Sequence, residues 1–286
     1  MTLPLPAGIE RRVLHTGRGP VVASCARPRP ERDLGVAVLM VSGYVGSKED
    51  FWPLLPGIAD AGYHGWAFDQ LGQYESTGPD EAAAYSIDLL AKDVREVLAQ
   101  VGGGSAVHLL GHCLGGFIGR AAAVAEPGAV RSLTLLACGP SMAEPKHDAM
   151  LTDLDRKLDM GSLELLWPLV KRLVPERDAA LRDFWHLKLR TANAGFMRGT
   201  ARAMRAEPDR TDELIASGLP VLVMHGRRDR RLWSRAAFAE MAGRLGAEHV
   251  IIDGAAHSPN SEQPDRTLDA LLGFWADRRA LSGVAS

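Results

Sequence analysis

Cysteine is scarce in this chain: Cys25, Cys113 and Cys138 are its only three among 286 residues. An odd number without ligand-like spacing excludes a disulfide framework and points to reduced thiols in a cytoplasmic protein. Charge of one sign is missing too. Acidic and basic residues number 35 and 33, giving a net charge of −2, and both signs are spread along the chain. That balance excludes the broad basic surface by which a protein holds nucleic acid or an anionic membrane. No apolar run approaches the roughly 20 residues of a membrane span. Met1 to Pro6 show no basic stretch followed by an apolar one, so no signal peptide is expected. The dinucleotide glycine fingerprint, the phosphate loop and clustered metal ligands are also lacking, and neither cofactor nor metal is expected.

What is present is a large apolar fraction, 46%, on a length that suits one α/β core carrying one insertion. Arginine far exceeds lysine, and alanine and glycine are abundant, a composition typical of high-GC bacterial genomes. Gly35 to Val41 is a continuous, partly β-branched apolar run, the pattern of a strand buried on both faces of a parallel sheet. Strands are also expected over 11–15, 20–26, 65–68, 107–110, 130–137, 221–225 and 250–253. Helices are expected over 51–61, 85–101, 114–125, 235–245 and 265–275. Between about 140 and 218 only helical signals occur, over 163–174, 179–189 and 196–204. Alternating strands and helices imply right-handed crossovers and a parallel sheet. The helical block then lies over the carboxyl ends of the strands, where open α/β sheets bind ligands.

Gly111-His112-Cys113-Leu114-Gly115-Gly116 sits between a strand and a helix. This G-x-nucleophile-x-G spacing is a nucleophile elbow, in which glycines two residues either side of the nucleophile permit a close approach of backbone. Cys113 would stand at a helix N-terminus, where free N–H groups favour a thiolate and an oxyanion. The competing reading is a buried structural cysteine beside a glycine-rich turn. His112 is expected to be structural, because neighbours on such a turn point apart.

On these residues the chain resembles the α/β-hydrolase superfamily, and within it the capped lipases, esterases, epoxide hydrolases and carbon–carbon bond hydrolases. The resemblance implies an α/β-hydrolase fold with an eight-stranded, mostly parallel sheet flanked by helices. It implies a core domain of residues 1–140 and 219–286 and a helical cap over 141–218. The family's order of nucleophile, acid, histidine assigns Asp229, in the loop after Leu222–His225, and His257, beyond Ile251–Asp253. His257 is the base, and Asp229 orients it and stabilises its positive ring. Asp253 is the rival acid, and a surface ion pair with a nearby arginine is the rival reading of Asp229. The oxyanion hole is expected from the backbone N–H groups of Leu114 and of Tyr44, in Ser42-Gly43-Tyr44 where relatives carry His-Gly-x.

Cysteine replaces the usual serine here. A thioester acyl-enzyme shifts the expected chemistry toward esters, thioesters or lactones, or toward acyl transfer to an amine, alcohol or thiol. Trp167, Trp185 and Trp233 are the candidate substrate-binding aromatics, with Phe184, His186, Phe196 and Met197 as further cap residues. The expected partner is a small acyl substrate, free or bound to a carrier or coenzyme, with self-association left open. A binding protein on the same scaffold is the reading from another class, disfavoured because all three triad positions are filled.

Overall fold

The computed structural model describes residues 3–142, 145–160, 163–171 and 179–282. The chain opens with a hairpin, β1 (Glu10–Thr16) and β2 (Gly19–Ala26), turned at Gly17 to Gly19. β3 (Val36–Val41), α1 (Leu55–Asp60), β4 (Tyr63–Phe68), α2 (Ile87–Gly102), β5 (Val107–His112), α3 (Leu114–Ala125) and β6 (Val130–Leu136) follow. Five helices come next: α4 (Pro145–Asp159), α5 (Trp167–Val170), α6 (Ala179–Thr191), α7 (Ala194–Ala206) and α8 (Thr211–Ala216). β7 (Val221–Gly226), α9 (Arg235–Leu245), β8 (Glu248–Ile252), α10 (Pro259–Glu262) and α11 (Pro264–Ser282) close the fold.

Eight strands form one sheet in the order β1-β2-β4-β3-β5-β6-β7-β8. β2 runs antiparallel to both its neighbours, and every other pairing is parallel. Alternate residues of the central strands enter opposite cores. Ala37, Leu39 and Val41 of β3 join one, with α2 and α3, while Val38 and Met40 join the other, with α1 and α11. Both faces are covered, which is why these strands read as unbroken apolar runs rather than alternating ones.

Local chemistry sets the helix ends. Ser86 accepts a hydrogen bond from Leu89 N at the start of α2, and Ser234 accepts one from Ala237 N at the start of α9. Both helices stop at a left-handed glycine, Gly103 and Gly246. The expected helix over 51–61 is instead a 3-10 turn, Lys48–Phe51, followed by α1 from Leu55, because Pro53 and Pro56 break up the first turns. Residues 172–174, the end of the helix expected over 163–174, lie outside the described residues. α4 and α8 were absent from the sequence expectation.

Candidate active site

Cys113 ends β5 and begins α3 with φ 51° and ψ −113°, a conformation that costs a non-glycine residue roughly 1–3 kcal/mol. The surrounding glycines are required by contact. A Cβ on Gly111 would stand 2.2 Å from the Gly115 carbonyl oxygen, and one on Gly115 would stand 2.2 Å from the Val41 oxygen. Cys113 N donates to Leu136 O at 3.0 Å, which pins the elbow to β6. The cysteine side chain then faces a cavity of about 130 Å³ at the carboxyl ends of the strands.

Asp229 and His257 lie in the turns after β7 and β8, and backbone hydrogen bonds join the two turns. Arg227 N donates to Ile252 O and Arg228 N to Ala255 O, each at 2.9 Å. Gly226 makes this approach possible, since a Cβ there would lie 2.1 Å from the Ala256 oxygen. Asp229 is buried, and its Oδ2 lies 3.0 Å from His257 Nδ1 while its Oδ1 accepts from Arg231 N at 3.1 Å. Glu262 clamps the histidine's neighbours, accepting Ala256 N at 2.8 Å and Ser258 N at 2.9 Å. Asp253, the rival acid, is tied to Arg227 in an exposed ion pair instead.

With Nδ1 turned to Asp229, the opposite edge of the imidazole is left for Cys113, and His257 and Cys113 line the same cavity. Burial alone would lower the His257 pKa. The hydrogen bonds and charges of Asp229 and Cys113 outweigh burial and push it up to about 10. Burial likewise raises Asp229, but the hydrogen bond and charge of His257 hold it below the usual carboxylate range.

The sequence places Leu114 and Tyr44 at the oxyanion position. Leu114 is the first residue of α3, where N–H groups have no carbonyl partner within the helix. Gly43 packs against the nucleophile, for a Cβ on it would meet Cys113 Cβ at 3.3 Å, so the Gly43–Tyr44 peptide lies alongside. The Tyr44 hydroxyl donates to Met197 O at 2.8 Å, tying this loop to α7. Ser42 is buried, with its hydroxyl 2.8 Å from Gln73 Oε1.

The three candidate tryptophans part company. Trp185 lines the cavity. Trp167 does not; it stacks on His186 with ring centres 4.4 Å apart. Trp233 does not either. It is a core residue packed on Phe117 and Phe238, with Nε1 donating to Ser141 O at 2.7 Å. Gly139 leaves the room that this ring fills. The apolar walls are supplied largely by residues that the sequence reading passed over, among them Met142, Met150, Leu151, Leu154 and Met204. The 150, 151, 154, 158 spacing of apolar residues was the available signal for α4. Asp50 and His112 also reach the cavity. A smaller cavity of about 20 Å³ adjoins it, and Tyr44, Val45, Gly46, Val170 and Trp185 border both. Among the described residues no group of three or more His, Cys, Asp or Glu is placed to hold a metal, and no helix is long and apolar enough to cross a membrane.

The sheet order, the elbow and the two loops that meet it decide the family when set beside known proteins. The α/β-hydrolase fold family matches residues 36–264. The chain belongs to that family. A protein named for carbamate hydrolysis, RutD of Variovorax paradoxus (strain S110), is 38% identical over 102 residues, 36% of this chain and 38% of its own. The pimeloyl-[acyl-carrier protein] methyl ester esterase of Aeromonas salmonicida (strain A449) is 26% identical over 204 residues, 68% of this chain and 78% of its own. The match to RutD thus spans well under half of that relative. Among solved structures, a thermophilic esterase from Thermogutta terrifontis superposes with a TM-score of 0.79 at 19% identity, covering 94% of this chain and 99% of its own. The thioesterase domain from the curacin biosynthetic pathway gives 0.70 at 15%, over 92% and 99%. At such identities the two structures speak for the fold alone.

Proposed function

We propose that this α/β-hydrolase family member is a cofactor-free acyl hydrolase with Cys113 as its nucleophile, His257 as its base and acid, and Asp229 as the orienting acid. The observation that carries the reading is the buried Asp229–His257 pair at 3.0 Å, whose histidine shares one cavity with a cysteine held on a strained elbow. Relatives named for hydrolysis of a carbamate and of a methyl ester support hydrolysis in general. The helices over 141–218 act as a cap, and the cap's methionine and leucine side chains favour an apolar acyl group.

In the first half-reaction the Cys113 sulfur attacks the carbonyl carbon of an ester, thioester or lactone. The resulting oxyanion accepts hydrogen bonds from the Leu114 and Tyr44 amides. His257 passes its Nε2 proton to the leaving alcohol or thiol, and a thioester acyl-enzyme remains. In the second half-reaction water attacks that thioester while His257 takes a proton from it. The acid departs, and the cysteine returns as the thiolate partner of the imidazolium. Asp229 stabilises the positive ring in both halves. The acyl group arrives free or on a carrier or coenzyme, and the enzyme works in the cytoplasm of a bacterium.

Acyl transfer to an amine, alcohol or thiol is the second reading. The mostly apolar walls favour it, since they disfavour water around the acyl-enzyme. Intact-mass measurement after incubation with activated esters and acyl thioesters tests both. An acyl adduct present in the wild type and missing from Cys113→Ala supports the covalent route, and decay of that adduct in buffer alone supports hydrolysis. Decay only after an amine or alcohol is added selects transfer. Neither adduct nor turnover with any acyl donor would overturn the enzymatic reading.

A further inference from the structure

We propose that His112, the residue before the nucleophile, is a positioning residue that fixes the base by donating its Nε2 proton to the backbone carbonyl of His257. The proposal rests on Cys113 and His257 being the reacting pair. The contact is 2.8 Å long. A carbonyl oxygen only accepts, so Nε2 must carry the hydrogen and Nδ1 must hold the lone pair. Nδ1 is buried and has no hydrogen-bond partner among the described residues, with Gly43 lying against it. A ring used merely as filler would leave less at stake than one whose single donor is spent on the backbone of the base.

The arrangement joins nucleophile and base through one bond. His112 and Cys113 are consecutive, so the grip on His257 is made from the same turn that presents the thiol. Glu262 holds the amides on either side of His257, and Asp229 holds its ring. His112 holds the remaining carbonyl, and the loop's tilt toward Cys113 is set from three directions.

His112 makes this grip as a neutral ring. The two imidazole centres are 5.2 Å apart, and a second cation there would oppose the charged form of His257. The groups facing His112 are His257, Asp50, Asp229 and Cys113. Burial, and next the charge of His257, bring the His112 pKa down to about 4 in spite of the two carboxylates.

Gln and Asn separate this role from bulk packing. A glutamine amide nitrogen reaches the place of Nε2, whereas an asparagine amide stops near Nδ1. The rate of Cys113 alkylation by iodoacetamide, followed by intact mass across about pH 5 to 9, reports the Cys113–His257 pair without any substrate. Cys113→Ala serves as the blank for the other two thiols. His112→Gln should match the wild type within about threefold. His112→Asn should react about tenfold more slowly below neutral pH, as expected for loss of one buried hydrogen bond. Thermal melting of both variants checks that each is folded, and turnover of an activated ester is recorded in parallel. Gln and Asn profiles that coincide, with matching turnover, would overturn the role of His112. If wild-type Cys113 is instead alkylated no faster than in His257→Gln, the ion-pair reading of the mechanism fails. The Gln–Asn difference in ester turnover then still decides His112.

Discussion

Lys188 of α6 and Asp50 of the loop after β3 meet at 3.2 Å, and their side chains are only 4% and 10% exposed. The lysine also donates to Ser47 Oγ at 3.0 Å and lies 4.1 Å from the centre of the Trp185 ring. The bridge therefore fastens the helical insertion to the segment that bears Tyr44, beside a residue lining the cavity at Cys113.

Breaking this bridge from one side should be costly. Lys188→Met leaves the Asp50 carboxylate buried without its counter-ion, and a loss of about 3–5 kcal/mol is expected in denaturant unfolding. The double variant with Asp50→Asn should recover part of that loss. Equal stability of wild type and Lys188→Met would show that the two charges are not coupled.

The elbow allows a sharper test of backbone contact. Gly115→Ala places a methyl group against the Val41 carbonyl, 2.2 Å away, where only strand movement could relieve the clash. Destabilisation above about 3 kcal/mol is expected, at the upper end for single substitutions. Gly128→Ala, at a position with open space around the new methyl, is the matched control and should change stability little.

Substrate size should respond to the walls of α4. Met150→Trp narrows the cavity from the helical side without touching the triad. In a series of acyl esters of increasing length, the wild type should gain about fourfold in kcat/KM per buried methylene. The variant should lose that gain beyond the first few carbons and keep its rate on acetyl esters. Parallel length profiles would place the acyl group elsewhere.

The pH dependence of stability follows from His257. Its folded pKa stands above the ordinary value, 6.5 rising to about 10, so it binds its proton more tightly when folded. Its contribution to stability is fully present below the unfolded value of about 6.5 and is lost as pH climbs through about 10. Asp229 has the opposite sign, its contribution being lost on acidification through its lowered pKa. The stability difference between wild type and His257→Gln should therefore shrink from neutral to alkaline pH. A constant difference would mean that the imidazolium is not held by the fold.

Much of the architecture was legible because the central strands are apolar on both faces and the elbow needs its glycines. Asp229 and His257 were legible because each follows a strand that ends at the same sheet edge. α4 was not, since charged residues interrupt its apolar stripe and only the cavity explains Met150 and Leu154. Trp233, named as a candidate substrate-binding aromatic, is instead a core residue. Its burial depends on the space above Gly139, a relationship between distant residues that spacing does not encode. His112 looked structural by the geometry of adjacent residues, yet it lines the same cavity as Cys113 and His257. What it reaches, the His257 backbone, exists only once both loops are in place.

The loop of Tyr44 and Val45 forms part of the partition between the two cavities as well as flanking the nucleophile. If the proposed oxyanion role of Tyr44 holds, a lineage changing its diet of acyl groups could not freely remodel that partition, because the same peptide would serve the reaction. Variation in substrate range would then be channelled to α4 and α7, whose side chains line the cavity away from Cys113, Asp229 and His257. Descendants of this enzyme should therefore diverge in their helices while keeping the partition nearly intact.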